Sequence, residues 1–274
     1  MKFTVEQSAL TDGVNWVSRS LSTRPIKTEL LGIVIDATSN QVFLSASDLE
    51  TASKAHFTAD VKEPGKVLVP GKLLAEISRS LPNKPITFVL DGTRVLVTSG
   101  SAKFTLPTLS VDEYPNLPEL PDSTGTVASD TFATAVAQVA IAAGRDDSLP
   151  TLTGVHVEIT EETITLAATD RYRLAVRELL WQPSTPGFST TVLMRARTLL
   201  DAAKAISPQS TLSLSIAGQG SSDRLVGLAT DGKTMTTRVL DGEFPPFRHL
   251  LPTEVAAEAT INVAEFIESI RRVS

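Results

Sequence analysis

The chain has 274 residues, 42% of them hydrophobic, a formal net charge of −6 and no cysteine, which allows two cores of ordinary size and excludes disulfides and thiolate metal sites. No apolar signal segment follows Met1-Lys2-Phe3-Thr4-Val5-Glu6-Gln7, and the apolar stretch from Ala135 to Ala143 is broken by Gln138 and too short for a bilayer, so a cytoplasmic protein is expected. The acidic balance argues against a generally adhesive nucleic-acid surface, and any DNA contact has to come from local placement of Lys and Arg.

In chain order, Leu10, Val14, Val17 and Leu21 have the spacing of an amphipathic helix. Alternation at Val42, Leu44 and Ala46 predicts a strand, Leu73, Leu74, Ile77 and Leu81 a second helix, and Ile86, Phe88 and Leu90 a strand that turns at Asp91-Gly92. Leu117-Pro118-Glu119-Leu120-Pro121 reads as a linker. Phe132, Val136, Val139 and Ala143 open a second series, with strands at Val155/Val157/Ile159, a helix at Leu199, Leu200, Ala203 and Ile206, and a strand at Leu212/Leu214/Ile216. Gly218-Gln219-Gly220-Ser221-Ser222 reads as a hairpin loop, Asp231-Gly232 as a turn and Leu250-Leu251-Pro252 as a second linker. Ala259-Thr260-Ile261-Asn262-Val263 predicts a strand, and Phe266, Ile267, Ile270 and Val273 form a helical stripe.

This is a repeat with a period of about 125 residues. Leu44-Ser45-Ala46-Ser47-Asp48-Leu49-Glu50 lines up with Leu166-Ala167-Ala168-Thr169-Asp170-Arg171-Tyr172, and Asp112-Glu113-Tyr114-Pro115 with Asp241-Gly242-Glu243-Phe244-Pro245. The fold class is α+β, two helices packed on antiparallel sheet in each repeat. Domains are expected over residues 1–122 and 123–253, with residues 254–274 beginning a third repeat. A lone strand and helix cannot bury their apolar faces, so the sequence is expected to be a fragment of a three-repeat protein with a weakly anchored end.

Three such repeats opening with Met1-Lys2-Phe3-Thr4-Val5 resemble the bacterial DNA polymerase III beta subunits, the sliding clamps, over almost the whole chain. The resemblance is carried by Leu21-Ser22-Thr23-Arg24-Pro25, Val69-Pro70-Gly71-Lys72-Leu73-Leu74, Tyr114-Pro115-Asn116-Leu117, Ala168-Thr169-Asp170-Arg171-Tyr172-Arg173-Leu174-Ala175 and Leu240-Asp241-Gly242-Glu243-Phe244-Pro245. It implies tandem clamp-fold repeats in a homodimeric ring around duplex DNA, helices lining the hole, with no catalysis and no cofactor. The implied partners are the polymerase III catalytic subunit, the clamp loader and other proteins carrying a clamp-binding peptide.

On that reading Arg19, Arg24, Lys72, Arg79, Arg145, Arg195, Arg197 and Lys204 are the candidate DNA contacts, and helical segments of positive balance inside an acidic chain would track phosphates without gripping bases. The carboxylates of Asp146-Asp147 weaken the expectation of a strong contact in their loop beyond Arg145. Partner peptide is implied at Leu152, Thr169, Tyr172, Arg173, Leu174, Pro245, His249 and Leu250: Leu152, Leu174, Pro245 and Leu250 as an apolar floor, Thr169 and Arg173 for polar groups. Lys103, Phe104 and Leu106 are the implied dimer edge.

An enzyme finds no support: His56, His156 and His249 fall in unrelated contexts, and no Gly-x-Ser-x-Gly, Walker A or dinucleotide loop occurs. His156 sits in a strand where it is expected to face solvent, away from any pairing with Asp170. A tandem β-rich binding module of another class is the alternative, disfavoured by the basic helix faces and the lack of a secretion signal.

Overall fold

In the computed structural model, which describes residues 1–217, 224–252 and 254–273, one compact unit runs from Met1 to Phe244 and a second begins at Pro245. Strand β1 (Lys2–Val5) turns Phe3 and Val5 inward, and Phe3 stacks on Phe88 at 4.8 Å. Two fully buried aromatic rings in contact supply on the order of 2 kcal/mol each by burial, so this pair anchors the first core. Helix α1 (Gln7–Val17) buries Leu10, Val14 and Val17 as the spacing predicts.

There follow β2 (Gly32–Thr38), β3 (Gln41–Ser47), β4 (Thr51–Thr58), β5 (Asp60–Glu63), β6 (Gly65–Pro70), α2 (Gly71–Ser80), β7 (Ile86–Asp91), β8 (Arg94–Ser99) and β9 (Ala102–Pro107). The second repeat has the same order: β10 (Gly125–Ala128), α3 (Ser129–Ala140), β11 (Gly154–Ile159), β12 (Thr163–Thr169), β13 (Leu174–Leu180), β14 (Gln182–Pro183), β15 (Thr190–Arg195), α4 (Ala196–Ala205), β16 (Thr211–Ile216), β17 (Leu225–Thr230) and β18 (Lys233–Arg238). By position β4 therefore corresponds to β13, and β9 to β18. Among the described residues all strand pairs are antiparallel, and the α+β architecture with two helices and antiparallel sheet in each repeat is the one expected.

The sheets cross the repeat boundary. A nine-stranded sheet runs β14-β10-β16-β17-β18-β4-β3-β2-β6, and β18 joins β4 in the register Lys233↔Ala55 through Thr237↔Thr51. Four contacts reinforce the joint. Trp16 Nε1 donates to the Thr234 carbonyl at 3.1 Å, the Thr51 and Thr237 hydroxyls lie 3.1 Å apart, and Lys233 Nζ is 2.7 Å from Asp12 Oδ1 and 5.8 Å from the Trp16 ring. Lys233 is only 6% exposed, so its ammonium depends on these neighbours. The turn entering β18 places Asp231 and Gly232 at φ 33° and 75°, and a Cβ on Gly232 would lie 3.0 Å from the His56 carbonyl. Glycine is required there by both conformation and space.

The remaining sheets end in strands with one partner each: β9 closes the five-stranded sheet β5-β1-β7-β8-β9, and β13 closes β13-β12-β11-β15. Thus β4 and β18 are paired with each other, while their positional counterparts β13 and β9 are not.

Several expectations need correction. Leu73, grouped with the buried face of α2, is 38% exposed, because adjacent helical residues point about 100° apart and Leu74 takes the inward position. Leu106 is fully buried: it points into the core, so of the three expected edge residues only Lys103 and Phe104 present side chains outward from β9. Residues 259–262 form no strand, and α5 (Val263–Val273) carries Phe266, Ile267, Ile270 and Val273 exposed. His156 does not face open solvent: its side chain is 16% exposed and its ring stacks on Phe244 at 5.0 Å. The loop expected over residues 218–222 lies outside the described residues.

Candidate nucleic-acid interface and partner cleft

The basic candidates fall on the helices and the segments beside them. Lys72 and Arg79 are exposed on α2, and Arg79 donates twice to Asn15 Oδ1, at 3.0 and 2.8 Å, tying α2 to α1. Arg19 is exposed in the 3-10 turn Ser18–Ser20, and Arg24 is exposed in the loop that follows. Arg19, Arg195 and Arg197 line one cleft together with Asp48 and Asp201, which brings side chains of both repeats to one place. Arg145, Arg195, Arg197 and Lys204 line a larger cleft between α3 and α4, about 800 Å³, together with Asp147.

Two pairings redistribute the charge. Asp12, an acid on α1, is engaged by Lys233, and Arg195 meets Glu50 of the other repeat at 3.2 Å. Arg195 is therefore in part an inter-repeat tether, leaving Arg19, Arg145, Arg197 and Lys204 as the exposed cations of these clefts.

A third cleft, about 490 Å³, is built by the turn between β12 and β13 and the loop after α3. Of the expected residues, Leu152, Tyr172 and Arg173 line it. Thr169 and Leu174 pair with each other where the turn begins and ends. The turn is wired internally. Thr169 Oγ1 accepts from the Arg171 N–H at 3.1 Å and donates to the Arg173 carbonyl at 2.8 Å, and Asp170 Oδ1 accepts from the N–H groups of Tyr172 and Arg173, both at 3.1 Å. Desolvation opposes ionisation of Asp170, but these backbone bonds and the Arg173 guanidinium, 3.0 Å away, hold its carboxyl below the ordinary carboxylate range.

That wiring revises two roles. The Thr169 hydroxyl is consumed by the turn, and Arg173 is oriented by Asp170. Leu152 is 8% exposed and supports the floor from within the core, whereas Tyr172 is 92% exposed. Arg171 and Arg145, from opposite walls, also line the cleft. Sequence reasoning passed over Arg171 as a partner contact, and the signal that could have found it is its place between Asp170 and Tyr172. Across the cleft, Asp146 is held below the ordinary carboxylate range by the Ser148 hydroxyl and by the Ser148 N–H at 2.9 Å, with Arg171 adding to the effect. Pro245, His249 and Leu250 belong to the second compact unit, where all three are exposed and His249 and Leu250 lie in the 3-10 turn Arg248–Leu250.

Among the described residues no cluster of three His, Asp or Glu could hold a metal, and no helix is long and apolar enough to cross a membrane.

Two α+β repeats joined strand to strand, with basic side chains gathered on their helices, define a DNA-clamp class of protein. Comparison with known proteins agrees. Residues 1–118 match the family model for the DNA polymerase III beta subunit N-terminal domain and residues 126–246 that for its central domain. The chain is 47% identical to the beta sliding clamp of Streptomyces coelicolor over 274 residues, covering all of this chain and 73% of that protein, and 46% identical to that of Micrococcus luteus, covering 87% of it. The solved DNA polymerase sliding clamp from Bacillus subtilis superposes with a TM-score of 0.87 at 25% identity, over 99% of this chain and 73% of that one. The chain belongs to the DNA polymerase III beta subunit family, the beta sliding clamps of DNA replication.

Proposed function

We propose that the chain forms an arc of a ring that encircles duplex DNA without sequence preference in the cytoplasm, and holds the polymerase III catalytic subunit, the clamp loader and other partners on the template through a peptide-binding cleft. The observation that carries this reading is the joint between repeats. The second repeat offers β18 and the first receives it on β4, so β9 and β13, the counterparts left with one neighbour, are the two halves of the same joint. A head-to-tail joint that repeats adds units until the rotation closes a ring, and closure gives β9 and β13 the second neighbour that each lacks.

The electrostatics fit sliding. Arg19, Arg24, Lys72, Arg79, Arg145, Arg197 and Lys204 are exposed cations in an acidic chain, suited to phosphate contacts that carry no sequence information. Partner capture is assigned to the cleft of Tyr172, Arg173 and Leu152, where an exposed aromatic and a half-buried Leu174 offer apolar surface beside oriented guanidinium groups. No catalytic role is assigned to any residue.

The test is retention on closed circular duplex, measured on the protein followed by a third repeat. Material that stays on the closed circle through a salt wash and leaves once the circle is cut supports a topological ring. Retention that is equal on circular and cut DNA sinks it.

A further inference from the structure

The α3–α4 cleft has a chemistry that phosphate tracking does not use. Its lining carries Arg145, Arg197 and Lys204, but beside them it is apolar: Ala140, Ile141 and Leu200. Ile141 is 67% exposed, a large aliphatic side chain left open to water beside cations. A DNA backbone matches the cations and has nothing to bury on Ile141. A peptide that alternates acidic and aliphatic residues satisfies both at once.

The cleft is also continuous with the partner cleft, since Ala143, Gly144 and Arg145 line both. We propose that the α3–α4 cleft is a second docking site for an acidic, aliphatic-containing peptide, taken as the continuation of a partner segment whose anchor sits beside Tyr172. Occupied in this way, Arg145, Arg197 and Lys204 are withdrawn from DNA phosphates, so a partner bound along both clefts loosens the hold on the duplex while it is docked. Arg195, which also lines the cleft, is already paired with Glu50, which leaves Arg145, Arg197 and Lys204 for the anionic stretch. The proposal rests on the partner-cleft reading only for where the segment starts.

The experiment uses the whole chain and fluorescence anisotropy with three labelled peptides: an aliphatic anchor alone, the anchor followed by alternating Glu, Leu, Asp and Leu, and the acidic extension alone. The extended peptide binds about tenfold tighter than the anchor, the gain expected from one added apolar and ionic contact set. Ile141→Ser leaves anchor binding unchanged and removes the gain, and Lys204→Glu removes the gain too. Replacing the leucines of the extension by serine also abolishes it.

No gain from the extension, a gain that survives both substitutions, or a gain that survives the serine replacement overturns the proposal. It is equally overturned if Lys204→Glu weakens duplex DNA binding and leaves every peptide unaffected. If the anchor fails to bind while the acidic extension binds and responds to Ile141→Ser, the cleft proposal stands and the partner-cleft reading falls.

Discussion

Leu49 and Arg171 occupy the same point in the two repeats and share a left-handed backbone, φ 78° and 80°. Each follows an aspartate whose Oδ1 gathers two backbone N–H groups: Asp48 those of Glu50 and Thr51, Asp170 those of Tyr172 and Arg173. Before each aspartate a hydroxyl accepts the next N–H but one, Ser47 from Leu49 and Thr169 from Arg171. A side chain in this conformation costs about 1 kcal/mol that glycine avoids. Leu49→Gly is therefore expected to hold or raise the unfolding midpoint, and Arg171→Gly to do the same while weakening partner peptide severalfold, because the guanidinium leaves the cleft. Parallel thermal denaturation and peptide titration check this. An Arg171→Gly protein that loses stability shows that the side chain was holding the fold.

Asp170 gives a pH signature. A carboxyl held below its ordinary value supports the folded turn at every pH above that value, about 3.9, and withdraws support as pH falls past it. Peptide affinity is thus expected to be flat from pH 8 to about 5 as far as this group is concerned. Asp170→Asn, which keeps the shape and loses the charge, should weaken binding at neutral pH, whereas Asp48→Asn should not. Carboxyl NMR titration locates the midpoint directly, and a midpoint at or above the ordinary value contradicts the account.

The joint between repeats predicts an asymmetry. Asp12→Ala leaves a nearly buried ammonium with the Trp16 ring alone, a loss of about 2 kcal/mol. Lys233→Met removes the charge, keeps the volume against Trp16, and leaves Asp12, 64% exposed, to water, so it should cost less than 1 kcal/mol. Urea denaturation of the two variants should rank them in that order.

For DNA, Arg197→Ala and Lys204→Ala should each reduce the slope of log affinity against log salt by about 0.9, and Arg195→Ala by less, because Glu50 already engages it. Equal slopes for all three would mean that the Glu50 pair dissolves when DNA binds.

Tyr114 reports on the linker. Burial first, aided by the nearby Asp48 charge and opposed in part by the Ser47 backbone, pushes its hydroxyl up to about 12. The folded chain therefore keeps that proton longer than the unfolded one. Its contribution to stability is complete below pH 10 and declines as pH climbs towards 12. Tyr114→Phe should remove that alkaline decline, as measured by denaturation at pH 9 and 11.

The repeat was legible because Ser47-Asp48 and Thr169-Asp170 encode one turn twice, and turn chemistry is local. The four helices of the two repeats were legible from spacing. What escaped was long-range. Alternation shows which face of β18 is apolar but not that β4, nearly 180 residues earlier, is its neighbour, and so the Lys233–Asp12 contact was invisible. The inward side chain of Leu106 was hidden for a related reason: membership of an edge strand says nothing about which way one side chain points. In the candidate site, Tyr172 and Arg173 were readable through the resemblance. The apolar lining at Ile141 was not, since it depends on α3 and α4 lying side by side.

The enclosure of Lys233 also makes it a chemical clock. Acylating reagents need room for a tetrahedral adduct, and an amino group enclosed between Asp12 and the Trp16 ring offers none, whereas Lys72 and Lys204 stand in the open. Acylation will therefore spread over the exposed lysines first. Its arrival at Lys233 dates the moment at which the two repeats have parted.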